Sequence, residues 1–321
     1  MSDDRLGYTQ RSVSAAVVQA APVGFRPKET LEKARHLAEE ARTGGADLIV
    51  FPEAFLSAYP RGMDFDTVVG SRTDNARDLY LEYWNSAIDI PGPITDELVD
   101  LSASLGSHLV VGAIERDGGT LYCTSLYLSP ESGLEGKHRK MMPTGTERLI
   151  WGFGDGSDLD VYQSPIGNLG MAICWENYMP LLRMTLYQQN VQIWIAPTAD
   201  ARDSWVASMR HIAVEGRCFV LSANQYATRA DYPDNYESIF GDAPDTLITR
   251  GASCIVDPFG ELLAGPEVEG EAILYAELDL KDTIRGKYDL DVAGHYSRHE
   301  VFKLDVLTRK SPDAREQPSE S

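Results

Sequence analysis

Three residues of the sequence have side chains that could together perform nucleophilic chemistry. Cys174 ends an apolar run that starts at residue 169. Glu53 stands two residues beyond the predicted strand 47–51, and Lys140 closes a basic stretch. A thiol, a carboxylate that can act as a base and an ammonium group are what covalent attack on an electrophilic carbon requires. The sequence therefore indicates a cysteine nucleophile, its base and a stabilising cation.

The surroundings of Cys174 predict where it lies in the fold. The turn 164–168 and the apolar residues after it are typical of a buried strand. Residues 177–180 suit a short loop into a helix, with Pro180 in its first turn. Backbone N–H groups at a helix start favour a thiolate, which is the nucleophilic form. The alternative is a small core cysteine, since free cysteine is among the most buried residue types.

Glu53 and Lys140 each allow two interpretations. A carboxylate just after a buried strand is either a solvated cap or a site residue, because ligands of α/β folds gather at the carboxyl ends of strands. The stretch 137–140 could be a basic patch on the surface. Against this, the rest of the chain is strongly acidic, and the following residues 141–143 (Met-Met-Pro) predict partial burial. A lysine beside the cysteine would favour the thiolate and stabilise a developing negative charge.

Strands and helices alternate around these residues. Apolar residues at helical spacing predict a helix over 28–42, between strands at 13–19 and 47–51, and this order indicates helices packed on a sheet. Further strands are predicted at 108–114, 121–129, 134–140, 169–173, 191–196, 217–223, 252–256 and 272–278, and further helices at 95–105, 180–189 and 204–216. Hairpin turns at 117–119 and 130–133 predict a mixed sheet. The segment 54–90 is predicted to be an irregular insertion that walls a pocket or carries a subunit contact, and 228–247 a polar loop.

Composition and motifs exclude several classes of function. A net charge of −20 argues against nucleic acid and anionic membranes as partners. The four cysteines form no C-x-x-C pair, so neither a structural zinc site nor a disulfide framework is indicated, and a reducing cytoplasm fits best. No signal peptide and no stretch long enough to span a membrane is found. Neither H-E-x-x-H nor G-x-S-x-G occurs, so no metal and no serine nucleophile is expected.

Three short blocks of sequence together resemble the signature of one family. They are Phe51-Pro52-Glu53; His138-Arg139-Lys140 with Pro143-Thr144 and Glu147-Arg148; and Cys174-Trp175-Glu176. In this order they resemble the nitrilase (carbon–nitrogen hydrolase) superfamily. Similarity to the branch of plant and related bacterial nitrilases extends to Tyr59-Pro60-Arg61-Gly62, residues 151–156, Asn177, residues 196–200 and residues 294–298. The resemblance covers about residues 13–302, and His299 departs from it, since proline is expected there.

The resemblance implies a fold and a set of catalytic roles. It implies an α/β fold, a four-layer α-β-β-α sandwich with mixed sheets, formed by a single domain over 13–302. Residues 1–12 are then a flexible N-terminus and 303–321 a disordered tail. Cys174 would be the nucleophile, Glu53 the proton acceptor, Lys140 the proton donor or stabiliser, and Glu147 a supporting residue. Members of the family form homodimers that assemble into larger oligomers or spirals.

The implied reaction is hydrolysis of an organic nitrile to its carboxylic acid and ammonia, through a cysteine thioimidate and thioester, without a cofactor. Expulsion of sulfur from the intermediate would give an amide instead. Tyr59, Trp175, Thr198 and Trp205 are predicted to line a substrate pocket with room for an aromatic or arylaliphatic group, although each could equally pack in the core. Two alternatives stay open: an amide or carbamoyl hydrolase of the same superfamily, and a non-catalytic assembly protein.

Overall fold

The computed structural model describes residues 11–306, which form two six-stranded β-sheets flanked by helices. The strands are β1 Ser12–Gln19, β2 Leu48–Val50, β3 His108–Asp117, β4 Thr120–Ser129, β5 Gly133–Arg139, β6 Val161–Ser164, β7 Gly167–Met171, β8 Ile193–Ile195, β9 Phe219–Ser222, β10 Tyr226–Thr228, β11 Leu247–Arg250, β12 Ser253–Val256, β13 Leu262–Glu267 and β14 Ala272–Asp279. The helices are α1 Pro27–Thr43, α2 Asp74–Ser86, α3 Pro93–Leu105, α4 Pro180–Tyr187, α5 Asp203–Gly216 and α6 Lys281–Gly286, with 3-10 helices at Gly145–Leu149, Cys174–Tyr178 and Arg229–Asp231.

Each large sheet has parallel strands at its centre and antiparallel strands outside them. The first runs β14-β1-β2-β3-β4-β5, and the second runs β13-β12-β9-β8-β7-β6. In the first sheet, Leu48 of β2 stands opposite Ala15 of β1 and His108 of β3 in parallel register. In the second, β7, β8 and β9 are parallel, whereas their outer neighbours are antiparallel. The predicted mixed sheets are therefore confirmed.

Alternating side chains divide the core into layers. On β1, Val13, Ala15 and Val17 pack between the two sheets, whereas Ala16 and Val18 pack against α1 and α3. The outer face of the second sheet is covered in the same way by α4 and α5. Because side chains on a strand point alternately to opposite faces, one strand can supply both layers. The result is the expected α-β-β-α sandwich.

The structure differs from the prediction in the segments that looked irregular. The segment 54–90 contains α2, whose N-cap Thr73 accepts a hydrogen bond from the Ala76 N–H at 3.0 Å. Only Tyr83 and Ser86 of this helix are buried, so its sequence has little helical periodicity. The polar loop 228–247 is bounded by β10 and β11, which pair with each other, and β6, β13 and α6 were also not predicted.

The predicted flexible N-terminus and disordered tail fall almost entirely outside the described residues, although β1 already begins at Ser12. In the part of the chain that is described, no helix is long and apolar enough to cross a lipid bilayer.

Candidate active site

The carboxyl ends of strands from both sheets bring Glu53, Lys140 and Cys174 together. Glu53 follows β2 and Lys140 follows β5 in the first sheet, whereas Cys174 follows β7 in the second. The Lys140 ammonium donates to Glu53 Oε1 at 2.7 Å, and the Cys174 thiol faces the same carboxylate. All three side chains are almost completely buried. Glu53 and Lys140 are 87 positions apart along the chain, and Lys140 and Cys174 are 34 positions apart, yet all three share one site.

The backbone around Glu53 packs closely against β3, and this contact fixes the position of Glu53. A Cβ atom on Gly112 of β3 would lie only 2.1 Å from the Pro52 carbonyl oxygen, so only glycine at this position allows the two backbone segments to approach so closely. The Leu56 N–H donates to the Gly112 carbonyl at 3.1 Å, and Gln225 donates through Nε2 to the Glu53 carbonyl at 2.9 Å. These contacts hold the residues after β2 from two sides.

Cys174 has a left-handed backbone conformation, with φ of 53°. Such a conformation costs a non-glycine residue about 1–3 kcal/mol, so surrounding bonds must hold it. The Cys174 N–H donates to the Pro197 carbonyl at 2.8 Å, and the Asn177 side chain donates to the carbonyls of Ala172 and Cys174, each at 2.8 Å. The Thr198 hydroxyl donates to the Cys174 sulfur at 3.3 Å. The sulfur is therefore fixed at a sharp turn between β7 and the 3-10 helix.

Lys140 is a cation and Glu53 has one oxygen free to take a proton. Burial alone would lower the pKa of Lys140, but Glu53, Cys174 and Glu147 outweigh it and raise that pKa well above its usual value. Burial raises the pKa of Glu53, although Lys140 opposes this. Glu53 Oε1 accepts from Lys140 and, at 3.5 Å, from the Cys123 thiol. Its Oε2 is buried without a hydrogen-bond partner among the described residues.

The Cys174 thiol is protonated at neutral pH, which corrects the expectation of a thiolate favoured by the helix start and the lysine. Burial and the Glu53 charge raise the pKa of Cys174 to about 12, against the opposing effects of Lys140 and Thr198. The sulfur therefore needs a base at the moment of attack. Glu53 is the carboxylate that faces it.

We expect the pH profile of activity to show this base. Only the ionised Glu53 can take the thiol proton, and its pKa is raised above 4.5. The value of kcat/KM should therefore fall as pH is lowered through that raised pKa, with the acid limb above pH 4.5. Measurement of kcat/KM between about pH 4 and 8, with circular dichroism at each pH, checks this. An acid limb at or below the ordinary glutamate pKa in a folded enzyme would contradict it.

Glu147 holds the other side of the Lys140 ammonium. It lies in the 3-10 helix Gly145–Leu149, and its Oε2 accepts from Lys140 Nζ at 2.8 Å and from the Thr144 N–H at 2.6 Å. The Tyr59 hydroxyl donates to Glu147 Oε1 at 2.6 Å. Lys140 therefore lies between the carboxylates of Glu53 and Glu147.

Replacing Glu147 by glutamine should lower kcat without unfolding the protein. The amide keeps the size of the side chain but removes one charge-assisted bond to Lys140, and such bonds contribute about 1.5–3 kcal/mol, or about 10- to 100-fold in rate. Steady-state kinetics of Glu147→Gln measures this. Tyr59→Phe is the comparison, because it keeps the Glu147 charge beside Lys140 and removes only the hydroxyl that donates to the other oxygen of Glu147, so a smaller loss in kcat is expected. Equal losses in the two variants would argue against a role for the Glu147 charge.

A cavity of about 190 Å³ opens onto Cys174. It is lined by Tyr59, Arg61, Thr144, Glu147, Cys174, Trp175, Ala199, Asp200 and Arg202. Of the four residues predicted to line the substrate pocket, Tyr59 and Trp175 do so. Thr198 is buried behind the nucleophile. Trp205 lies elsewhere: it is fully buried on α5, with Nε1 donating to the Ser222 hydroxyl at 2.9 Å.

Several residues of the cavity were not recognised in the sequence. Asp200 accepts from Trp175 Nε1 at 2.8 Å and from the Arg202 guanidinium, which lies over the Trp175 ring. Arg61 donates to the Ala199 carbonyl at 2.7 Å, while its buried Nε has no partner in the described ranges. Arg61 and Asp200 stand in stretches that matched the family, but nothing in those stretches indicated a contact with the cavity. Within residues 11–306, no cluster of three or more His, Cys, Asp or Glu side chains could hold a metal ion.

Comparison with known proteins agrees with this geometry. The family model for carbon–nitrogen hydrolases matches residues 14–288. An aliphatic nitrilase of Sinorhizobium fredii (strain HH103) is 54% identical over 292 residues, which cover 91% of this chain and 94% of that protein. A bifunctional nitrilase/nitrile hydratase of Lupinus angustifolius is 50% identical over 304 residues, covering 93% of this chain and 87% of that protein.

Solved structures show the same fold. The crystal structure of a carbon–nitrogen hydrolase from Helicobacter pylori G27 superposes with a TM-score of 0.71 at 22% identity, over 94% of this chain and 99% of that one. The chain belongs to the carbon–nitrogen hydrolase family and, within it, to the nitrilase branch.

Proposed function

We propose that this protein is a nitrilase that converts an organic nitrile into its carboxylic acid and ammonia, with Cys174 as nucleophile. The observation that carries the proposal is the buried contact of Glu53 with both the Lys140 ammonium and the Cys174 thiol, next to a cavity. Relatives about half identical in sequence are named nitrilases, which supports nitrile as the substrate class.

In the first half of the reaction, Glu53 takes the proton of the thiol and the sulfur attacks the nitrile carbon. The proton then passes from Glu53 to the nitrile nitrogen, and a thioimidate bound to Cys174 forms. Because the pKa of Cys174 is raised, the resting thiol is neutral and a base must remove its proton; we assign this role to Glu53. Glu53 Oε2 has no hydrogen-bond partner among the described residues and can therefore receive the proton.

In the second half, a water molecule activated by Glu53 adds to the thioimidate. Glu53 passes both protons of this water molecule to the nitrogen, which leaves as ammonia, while Lys140 stabilises the negative charge on the oxygen of the tetrahedral intermediate. A thioester remains, and a second water molecule releases the carboxylic acid and restores the thiol. If the intermediate expels sulfur instead, the product is the amide. A positioned donor of this kind typically lowers the barrier by about 3–4 kcal/mol.

A compact aliphatic nitrile is the substrate that the cavity favours. Its volume of about 190 Å³ is below the roughly 300–1,000 Å³ of pockets that hold drug-sized ligands. Moreover, one of the most similar relatives is named an aliphatic nitrilase. The aromatic or arylaliphatic group suggested by the sequence stays a prediction that the substrate panel tests.

A substrate panel tests the proposal. Short aliphatic nitriles, benzonitrile, an arylacetonitrile and an aminonitrile, each with its matched amide, are scored for ammonia, acid and amide. We expect kcat/KM for the best aliphatic nitrile to exceed that for benzonitrile by about tenfold or more. Turnover of amides alone would favour the amide hydrolase alternative. Absence of turnover for every nitrile and amide would favour a non-catalytic assembly protein. Alkylation of Cys174 that changes no measured activity would favour it as well.

The proposal extends to assembly and location. Large apolar side chains such as Leu181, Tyr288 and Phe302 are exposed, which supports contacts between copies in a homodimer that builds larger oligomers or spirals. Size-exclusion chromatography with light scattering and electron microscopy test this, and a monodisperse monomer would refute it. Four free cysteines support a reducing cytoplasm as its location.

A further inference from the structure

A second buried network of charged side chains lies beside the catalytic residues without touching the cavity. His138 on β5 is bonded through Nδ1 to Asp158 Oδ1 at 3.0 Å and through Nε2 to Glu176 Oε2 at 2.9 Å. The side chains of His138 and Glu176 are buried, and that of Asp158 is 19% exposed. None of the three lines the cavity beside Cys174. The proposed reaction does not use them.

The same two carboxylates also hold the backbone on both sides of Lys140 and just before Cys174. Glu176 accepts from the Ile173 N–H at 2.7 Å through Oε2, and from the Met141 N–H at 2.6 Å through Oε1. Asp158 accepts from the Arg139 N–H at 2.8 Å through Oδ2. Ile173 directly precedes the nucleophile, whereas Arg139 and Met141 are the two neighbours of the lysine.

This arrangement matters because the nucleophile and the cation come from different sheets. Lys140 follows β5 in the first sheet and Cys174 follows β7 in the second. Packing between the sheets is apolar and non-directional, so it does not set the relative position of two strand ends to a fraction of an ångström. Hydrogen bonds from a central imidazole to two carboxylates do fix distances and directions.

We propose that Asp158, His138 and Glu176 are positioning residues that hold the Lys140 ammonium in register with the Cys174 sulfur, an inference that rests on the proposed function. The protonation state of His138 agrees with this positioning role. Burial would lower the pKa of His138, but Glu176 and Asp158 outweigh it and raise that pKa to about 10. The imidazole is therefore a cation with both nitrogens donating.

The variant His138→Asn tests the proposal, because asparagine cannot bridge the two carboxylates. A misplacement of about 1 Å costs about 100-fold in rate, so we expect kcat to fall about 100-fold while KM stays within about threefold. The acid-to-amide ratio is the sharper measurement, since it does not depend on how much enzyme is folded. In the proposed reaction Lys140 promotes the loss of ammonia, so a displaced lysine should favour the loss of sulfur instead. We therefore expect the amide fraction to rise about threefold.

The matched control is His108→Asn. His108 is also a buried histidine of the first sheet, but it is bonded to Tyr127 and lies in the interior away from the cavity. This variant should lose stability and leave the acid-to-amide ratio unchanged. If His138→Asn keeps the wild-type ratio as well, or keeps wild-type kcat, the proposal is wrong. Should His138→Asn fail to fold, Asp158→Asn is measured instead, with an expected loss in kcat of about tenfold and the same direction of change in the ratio.

A measurement that needs no turnover separates this proposal from the proposed function. The rate of Cys174 alkylation by iodoacetamide, followed by mass spectrometry, depends on the aligned base and cation. We expect it to fall about fivefold in His138→Asn and to stay at the wild-type rate in His108→Asn. A wild-type protein that releases no ammonia from any nitrile would refute the proposed function alone. An unchanged alkylation rate in folded His138→Asn would refute the positioning role alone.

Discussion

The Cys174→Ala variant is expected to fold like the wild type and to show no turnover of nitriles. Without the sulfur no thioimidate can form, and removal of a catalytic nucleophile lowers kcat by at least about 10⁴-fold. The thiol is neutral, buried and small, so its loss removes no charge and leaves only a small cavity, at a cost of about 1 kcal/mol. Ammonia release, thermal unfolding and a search for a covalent adduct by mass spectrometry measure these effects.

Cys218→Ala is the matched control for the nucleophile. Cys218 is equally buried, and burial raises its pKa to about 12 as well, but it packs against the outer helices of the second sheet. The two variants thus remove similar thiols from different places. We expect Cys218→Ala to retain activity within about twofold. Nitrile hydrolysis near the wild-type rate in Cys174→Ala would refute the assignment of the nucleophile.

The sequence was sufficient to single out the reactive groups because each stands next to the end of a predicted strand, and because the three blocks around them resemble one family signature. Ligands collect at the carboxyl ends of parallel strands, but a solvated cap, a basic surface patch and a core cysteine stayed open as alternatives without the resemblance. The alternation of strands and helices predicted helices packed on a mixed sheet, whereas the four-layer sandwich came from the family resemblance. What this reasoning could not give was the geometry of the three groups, such as the 2.7 Å bond from Lys140 to Glu53, which depends on how distant strands pack together.

Protonation states could not be derived from the sequence for the same reason. The helix start and the nearby Lys140 suggested a thiolate at Cys174. In the structure, burial and the charge of Glu53 outweigh both influences and keep the thiol neutral. The size of a desolvation effect depends on atoms from distant parts of the chain, which no local pattern reports.

The predicted substrate contacts show the limits of judging side chains by type. Trp205 was predicted to line the pocket, yet its side chain is buried in the core between α5 and the second sheet. Arg61 and Asp200, which do line the cavity, looked like ordinary loop residues. The network around His138 joins residues 38 positions apart, His138 and Glu176, and neither one alone suggested the other.

The Lys140→Met variant is expected to lose both activity and stability, and its deficit in stability relative to the wild type should grow as pH rises. Activity should fall at least about 10³-fold, because no other cation contacts the tetrahedral intermediate in the proposed reaction. The buried carboxylates of Glu53 and Glu147 are left without their shared cation, which costs about 3–5 kcal/mol of unfolding free energy at neutral pH. Steady-state kinetics and urea unfolding measure the two losses.

The sign of the pH effect follows from Glu53. Its pKa is already raised by burial, and Lys140 lowers it, so removal of the lysine must raise that pKa further. The folded variant then binds a proton at pH values where the unfolded chain has released it, and its stability falls as pH rises through this range. The deficit relative to the wild type should therefore be smaller near pH 5 than near pH 8. In the wild type, the pKa of Lys140 is raised, so its own contribution is lost only above the ordinary lysine pKa of 10.5.

Lys137→Met is the control, because it removes a lysine from the same strand at a partly exposed position. Lys137 pairs with Glu115, which Arg139 also holds by two hydrogen bonds of 2.8 and 2.6 Å. Since Lys137 is partly exposed and Arg139 still holds the buried Glu115 carboxylate, this variant should stay active and lose far less stability than Lys140→Met at every pH tested. If Lys140→Met retained a tenth of wild-type activity, or if its deficit in stability grew as pH fell, then Lys140 would not be the cation that stabilises both the buried carboxylates and the reaction intermediate.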